Sequence, residues 1–164
     1  RFGIQHRLQF YDLPQMNKIV ERSGNILEVD AESLAVQEIA KRSRATPRIA
    51  NRLLKRARDF AEVKGDGILT HSLSREALDL LEIDEYGLDE IDRRILILII
   101  EKFSGGPVGL NTIAAAVQEE MDTISEVYEP FLMQSGFLAR TPRGRIATET
   151  AYEYFGRKTP ARLV

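Results

Sequence analysis

Gly136-Phe137-Leu138-Ala139-Arg140-Thr141-Pro142-Arg143-Gly144-Arg145-Ile146-Ala147-Thr148 is the stretch on which the fold of this 164-residue chain turns. Two short segments, Phe137 to Arg140 and Arg145 to Thr148, flank Thr141-Pro142-Arg143-Gly144. Proline and glycine stand at the second and fourth positions of a type I turn. The pattern predicts a β-hairpin with Arg140 and Arg145 on one face and Arg143 at the tip. Three cations so close together make either a phosphate clamp or a solubilising hairpin end, since phosphate contacts need only charge and donors.

The elements before the hairpin read as helices. Thr123 can cap one that runs to about Gln134, with Gly136 as its stop, and Asn111 can cap another to about Glu119. A longer helix, from about Asp89 to Phe103, carries the apolar run Ile95 to Ile100 and ends at Gly105-Gly106-Pro107. Three helices followed by a hairpin is the order of a winged-helix domain, and a last helix from Glu149 to Phe155 completes it. The third helix has an unusual sign for such a domain. From Glu119 to Gln134 there are five acids (Glu119, Glu120, Asp122, Glu126, Glu129) and no base, so that surface repels a polyanion.

The first half is also helical. Asp12 can cap a helix with Pro14 in its first turn and Leu13, Met16, Ile19 and Val20 on one face, ending near Gly24. Asp30 can cap a second, with Leu34, Ile39 and Ala40 inward. Thr46-Pro47 starts a third, to about Lys64, because the hydroxyl can accept an orphan amide and proline needs no partner at the first helical position. Its apolar side is Ile49, Leu53, Leu54, Ala57 and Ala61. Gly65 and Gly67 end it, and Ser72 or Ser74 caps a short fourth helix to about Ile83.

The charge divides the chain. Lys41 to Arg58 holds eight bases and no acid, whereas Glu76 to Glu101 holds nine acids against Arg93 and Arg94. The reversal places a junction between two small domains at Asp84-Glu85-Tyr86-Gly87. A hydrophobic fraction of 43% and a charged fraction of 29% indicate a soluble globular chain. The absence of cysteine, with only His6 and His71, excludes disulfides, thiolate zinc sites and a cysteine nucleophile. No apolar run approaches the roughly 20 residues of a membrane span and no signal peptide opens the chain, so a cytoplasmic location is expected.

Little in the chain suggests catalysis of its own. No glycine is followed by lysine, so the phosphate loop G-x-x-x-x-G-K-[ST] is absent. The stretch Leu78 to Glu85 looks superficially like a strand ending in Mg²⁺ ligands, but its serine start and apolar spacing favour a helix end. Asp89 and Asp92 suit the first turn of a helix better than a catalytic pair. His6 lacks a nucleophile and carboxylate beside it, and His71 is expected in a polar loop. Three readings stand for the basic run: a solvated helix face, a nucleic-acid surface, or an anion site with Arg48 just inside the positive end of the helix. Tyr11 can stack on a base or pack beside Phe10.

Three strings are distinctive together: Arg42-Ser43-Arg44-Ala45-Thr46-Pro47-Arg48-Ile49-Ala50-Asn51-Arg52-Leu53-Leu54, Gly105-Gly106-Pro107-Val108-Gly109-Leu110, and Gly136 to Arg145. In order and spacing the chain resembles the C-terminal part of the bacterial RuvB family of Holliday-junction branch-migration motors. The resemblance implies a mainly α chain: residues 1–11 as the end of a large AAA+ ATPase domain, 12–82 as a small helical lid, and 85–164 as a winged-helix head with a β-hairpin wing. It implies that Arg1 is an arginine finger reaching a neighbouring subunit's ATP, that Arg48 is the second-sensor arginine, and that Tyr11 and Pro47 lie near the adenine. Arg140, Arg145 and, more weakly, Arg143 resemble the wing residues that contact the DNA backbone. Further implications are ATP with Mg²⁺ whose ligands lie outside this chain, a hexameric ring, four-way junction and duplex DNA as partners, RuvA bound through the large domain, RuvC, and no membrane. The piece alone is expected to be inactive in hydrolysis. Ala45 stands where the family usually has glycine, and a positive φ there would strain it. The competing readings are a winged-helix transcription regulator, which needs a basic third helix, and a protein-interaction adaptor, whose basic helix docks an acidic partner.

Overall fold

A computed structural model describes Gly3 and residues 10–160, and these divide between Asp89 and Glu90 into two compact units. The first unit is helical: α1 (Leu13–Ile26), α2 (Ser33–Lys41), α3 (Pro47–Lys64) and α4 (His71–Leu80). Asp12 and Gln15 form a reciprocal capping box at α1, the Asp12 carboxylate accepting the Gln15 amide at 2.8 Å and the Gln15 side chain accepting the Asp12 amide at 3.1 Å. The buried face of α1 is Met16, Val20 and Gly24, spaced by four, which lets the helix continue through the glycine to Ile26. Leu13, expected inward, is exposed. On α3 the inward positions are Ala50, Leu53, Leu54, Ala57 and Ala61, with Ile49 partly buried against them.

Tertiary pairing moved two of the expected caps. Asp30 does not cap α2, because the Asp30 carbonyl accepts the Leu69 amide at 2.7 Å and the Glu32 amide donates to Leu69 O at 3.0 Å. This parallel bridge between Ala31 and Leu69 keeps the chain extended until Ser33. The register then turns Ala35 inward and leaves Leu34 exposed. Glu32 serves the next helix instead, its carboxylate accepting the His71 amide at 2.8 Å. Thr70, not Ser72 or Ser74, caps α4 through the Leu73 amide. His71 is therefore the first residue of a helix rather than part of a loop.

The second unit contains α5 (Glu90–Lys102), α6 (Leu110–Val117), and a helical segment of α7 (Met121–Thr123), one π turn (Ile124–Tyr128) and α8 (Glu129–Gln134). The hairpin strands β1 (Leu138–Thr141) and β2 (Gly144–Ala147) and the helix α9 (Glu149–Tyr154) follow. Gly109, not Asn111, precedes α6, since the chain leaves a bridge at Val108 in extended form and turns into the helix at once. Thr123 lies inside its helix, which begins after Glu120. The π turn precedes Pro130, which has no amide to give and whose ring would crowd the carbonyl four residues back. Ile95, Leu96, Ile99, Ile113, Leu132 and Phe137 are among the large side chains of this unit's interior.

Arg44 and Ala45 both occupy the left-handed region, at φ 55° and 50°, in the turn before α3. Alanine is strained there by about 1 kcal/mol. Ala45→Gly should raise the stability of the first unit by about 0.5–1 kcal/mol, read from urea unfolding followed by helical ellipticity.

Candidate anion-binding surfaces

The basic run of the first unit separates into anchored and unpaired arginines. Arg42 is only 3% exposed and donates from Nε to Glu38 at 2.8 Å, and from Nη1 to Asp79 at 2.8 Å and to the Ile83 carbonyl at 2.7 Å. Burial works against its charge, but the hydrogen bonds and attraction of Asp79 and Glu38 outweigh that and leave its pKa raised. Arg44 donates to the Gly87 carbonyl at 3.0 Å and to Asp89 at 2.7 Å. The two arginines hold the turn between α2 and α3 to the segment 83–89, so Asp84 to Gly87, where the charge pattern puts the junction, belongs with the first unit. Gly87, at φ 80°, comes so close that an added Cβ would sit 3.0 Å from the Arg42 carbonyl. The acids of the Leu78 to Glu85 stretch are used structurally, Asp79 by Arg42 and Asp84 by the amides of Tyr86 and Leu88, each at 2.9 Å. No group of three or more His, Cys, Asp or Glu that could hold a metal occurs among the described residues.

Arg48, Arg52 and Arg56 are exposed, four residues apart on α3, and have no ion-pair or hydrogen-bond partner among the described residues. Pro47 starts the helix and lacks an amide, and Thr46 does not cap it, because its hydroxyl donates to the Arg44 carbonyl at 3.0 Å. Arg48 thus stands at an uncapped helix N-terminus, where leftover amides and the helix dipole both favour an anion. Arg52 and Arg56 border a cleft of about 290 Å³ lined also by Ile49, Leu53, Leu81 and Ile83. Tyr11 lies just before α1 with its ring exposed. Arg1 and His6 lie outside the described residues.

The wing of the second unit has a different arrangement. Leu138 pairs with Ala147, Arg140 with Arg145, and Thr141 with Gly144, leaving Pro142 and Arg143 as the tip. Arg140 and Arg145 therefore share one face, and Arg143 is exposed at the end. Their environments differ sharply. Arg140 is 65% exposed, whereas Arg145 is 12% exposed and donates from Nε at 3.1 Å and Nη2 at 2.8 Å to one oxygen of Glu129. Glu129, counted from the sequence only as one of five repelling acids, is buried at 5% exposure beneath the wing. A glutamate before a proline inside a helical stretch was the only local sign of it. The second wing strand is held just after the turn by paired hydrogen bonds between Val108 and Arg145, 2.9 and 2.8 Å long.

A four-helix unit with an unpaired arginine at a helix start, joined in sequence to three helices and a charged hairpin, defines an AAA+ lid followed by a winged-helix domain. Residues 11–84 match the RuvB AAA lid domain and residues 85–156 the RuvB C-terminal winged helix domain. The chain belongs to the RuvB family. It is similar to the Thermotoga maritima RuvB Holliday junction branch migration motor at 51% identity and a TM-score of 0.89, covering 98% of this chain and 54% of that one. A point variant of that protein aligns at 50% identity and a TM-score of 0.90, over 98% and 53% of the two chains. The chain thus spans about half the length of these relatives.

Gly144 has φ 141°, and a Cβ there would lie 2.5 Å from the Val108 carbonyl oxygen. Gly144→Ala should cost about 2–3 kcal/mol and lower hydrogen-exchange protection at the Val108 and Arg145 amides before that of α5. Arg42→Ala, which strands Glu38 and the Ile83 carbonyl, should cost about 3 kcal/mol in chemical denaturation.

Proposed function

We propose that this chain is the nucleotide-sensing lid and DNA-gripping head of an ATP-driven motor that moves Holliday junctions during recombination and repair. The observation that carries the reading is the order of the two matched domains along residues 11–156 of a chain that aligns along nearly its whole length with the Thermotoga maritima branch migration motor. Residues 1–11 are the end of a large ATPase domain, 12–82 the lid and 85–164 the head.

ATP and its Mg²⁺ are held mainly by residues outside this chain and supply the free energy of phosphoryl transfer. The residues here complete the edge of that site. Arg48, at an uncapped helix start and without a carboxylate partner, reaches the γ-phosphate of its own subunit and reports its loss to the lid. Pro47 and the exposed ring of Tyr11 border the adenine. Arg1 serves the neighbouring subunit's site in a ring of six. Arg140, Arg143 and Arg145 contact the backbone of duplex arms leaving a four-way junction. Backbone contact suits a motor, because phosphates carry no sequence information and the enzyme must move over every sequence. RuvA engages the large domain, RuvC acts on the same junction, and the work takes place in the cytoplasm.

A transcription regulator of this fold would read bases through its third helix. Here the segment Glu119 to Gln134 carries no cation, which favours the wing as the DNA contact. An adaptor would bind protein and no DNA.

In the full-length protein, Arg48→Ala should lower ATP turnover about 100-fold with ATP binding far less affected, measured by steady-state hydrolysis and nucleotide titration. An unchanged turnover would remove Arg48 from the site. For the head, the Arg140→Ala/Arg143→Ala double variant should lower the salt dependence of junction binding by about two phosphate contacts.

A further inference from the structure

We propose that Glu129 is a positioning residue for DNA contact: it holds Arg145 by the Nε–Nη2 edge and leaves the Nη1 edge for a backbone phosphate. The inference rests on the wing being the DNA-contact surface and assigns a role to a carboxylate that the charge pattern alone marks as repulsive. Nε and Nη2 both donate to Glu129, and Nη1 has no hydrogen-bond acceptor among the described residues. A guanidinium has two usable edges in one rigid plane, so an edge fixed on a carboxylate aims the other, and the rotamer entropy is lost before DNA arrives.

The aim of Glu129 is itself set by the helix. Its amide donates to the Ile124 carbonyl, five residues back, in the π turn that Pro130 follows. The root of Arg145 is equally constrained by its two backbone bonds to Val108. Arg140, directly opposite Arg145 in the hairpin register, has its Nη1 3.9 Å from the other oxygen of Glu129. Two arginines facing each other across a ladder repel. One buried carboxylate against both relieves that repulsion and keeps the pair on the same side of the wing.

The role has a signature that simple electrostatics would not produce. Removing a negative charge beneath a cationic wing should by itself strengthen phosphate binding, whereas removing a positioning group should weaken it. Anisotropy of a labelled duplex and a labelled four-way junction, titrated with the chain across salt, separates the two. Wild type should bind; Arg143→Ala and Arg145→Ala should each lower the salt slope by about one. Glu129→Gln should bind several-fold more weakly than wild type, and Glu129→Gln/Arg145→Ala no more weakly than Arg145→Ala alone. Arg145→Lys keeps the charge but has no second edge, so it should bind as weakly as Arg145→Ala. Glu129→Gln should keep the hairpin amide resonances, and their loss overturns the positioning role, because the weaker binding would then come from an unfolded wing. Binding by Glu129→Gln equal to or tighter than wild type, or by Arg145→Lys equal to wild type, overturns the positioning role while a response of Arg143→Ala leaves the wing reading intact. No binding by wild type, or none of the Arg143→Ala effect, overturns both.

Discussion

A guanidinium cannot be withdrawn from water unless its donors find acceptors, and the Arg42 side chain is only 3% exposed. Its acceptors come from three places: Glu38 on α2, Asp79 on α4 and the carbonyl of Ile83 beyond α4. None of these can move far without leaving a charge stranded in low dielectric, which costs more than most single contacts in a protein. The turn from α2 to α3 is thereby pinned at its first residue. Arg44 pins it again two residues later, through Gly87 and Asp89. The strained pair Arg44 and Ala45 is tolerated because both sides of the turn are held. The consequence appears immediately afterwards, where the chain emerges at Pro47 with Arg48 facing solvent at the helix start.

The second unit solves a similar problem with Glu129. A short hairpin has little hydrophobic surface of its own, and an isolated two-stranded ribbon is marginal in water. This one is attached to the body by the Val108 bridge, by the close approach of Gly144 to Val108, and by the buried pair of Arg145 and Glu129. The attachment leaves Arg140 and Arg143 outside. In both units an arginine held by a carboxylate fixes the backbone from which an exposed arginine projects.

That division bears on the proposed function. Groups that must respond to phosphate need a donor edge left open, as Arg48 has with no partner among the described residues and as Arg145 keeps at Nη1 while Glu129 holds its other edge. Groups that must transmit the response need to be rigid, since a floppy turn would absorb the movement. In the proposed function Arg48 meets the first condition and its anchored turn the second. In the same proposal the exposed wing tip meets the DNA backbone at any sequence, because phosphates carry no sequence information.

Helix identity was legible locally. The spacing of Leu53, Leu54, Ala57 and Ala61, the start at Thr46-Pro47, and the turn Thr141 to Gly144 each follow from backbone sterics and apolar periodicity within one element, and the strings around Arg48 and the wing were enough to suggest the family. Caps were less legible: Asp30 and Asn111 have the right side chains, but the bridges at Ala31–Leu69 and Val108–Arg145 hold the adjacent backbone extended, and such bridges join residues far apart in sequence. The same distance hid the fate of the charges. Arg42, Arg44, Arg48 and Arg52 look alike in a basic run, as do Arg140 and Arg145 beside their turn, because sequence lists charge without its partner. By itself the sequence determined which segments are helices, where the hairpin turns, and that cations crowd the start of α3 and the wing. Only the tertiary structure decided which of those cations are neutralised, because the carboxylates that do so, Asp79, Asp89 and Glu129, reach them across 37, 45 and 16 residues of chain.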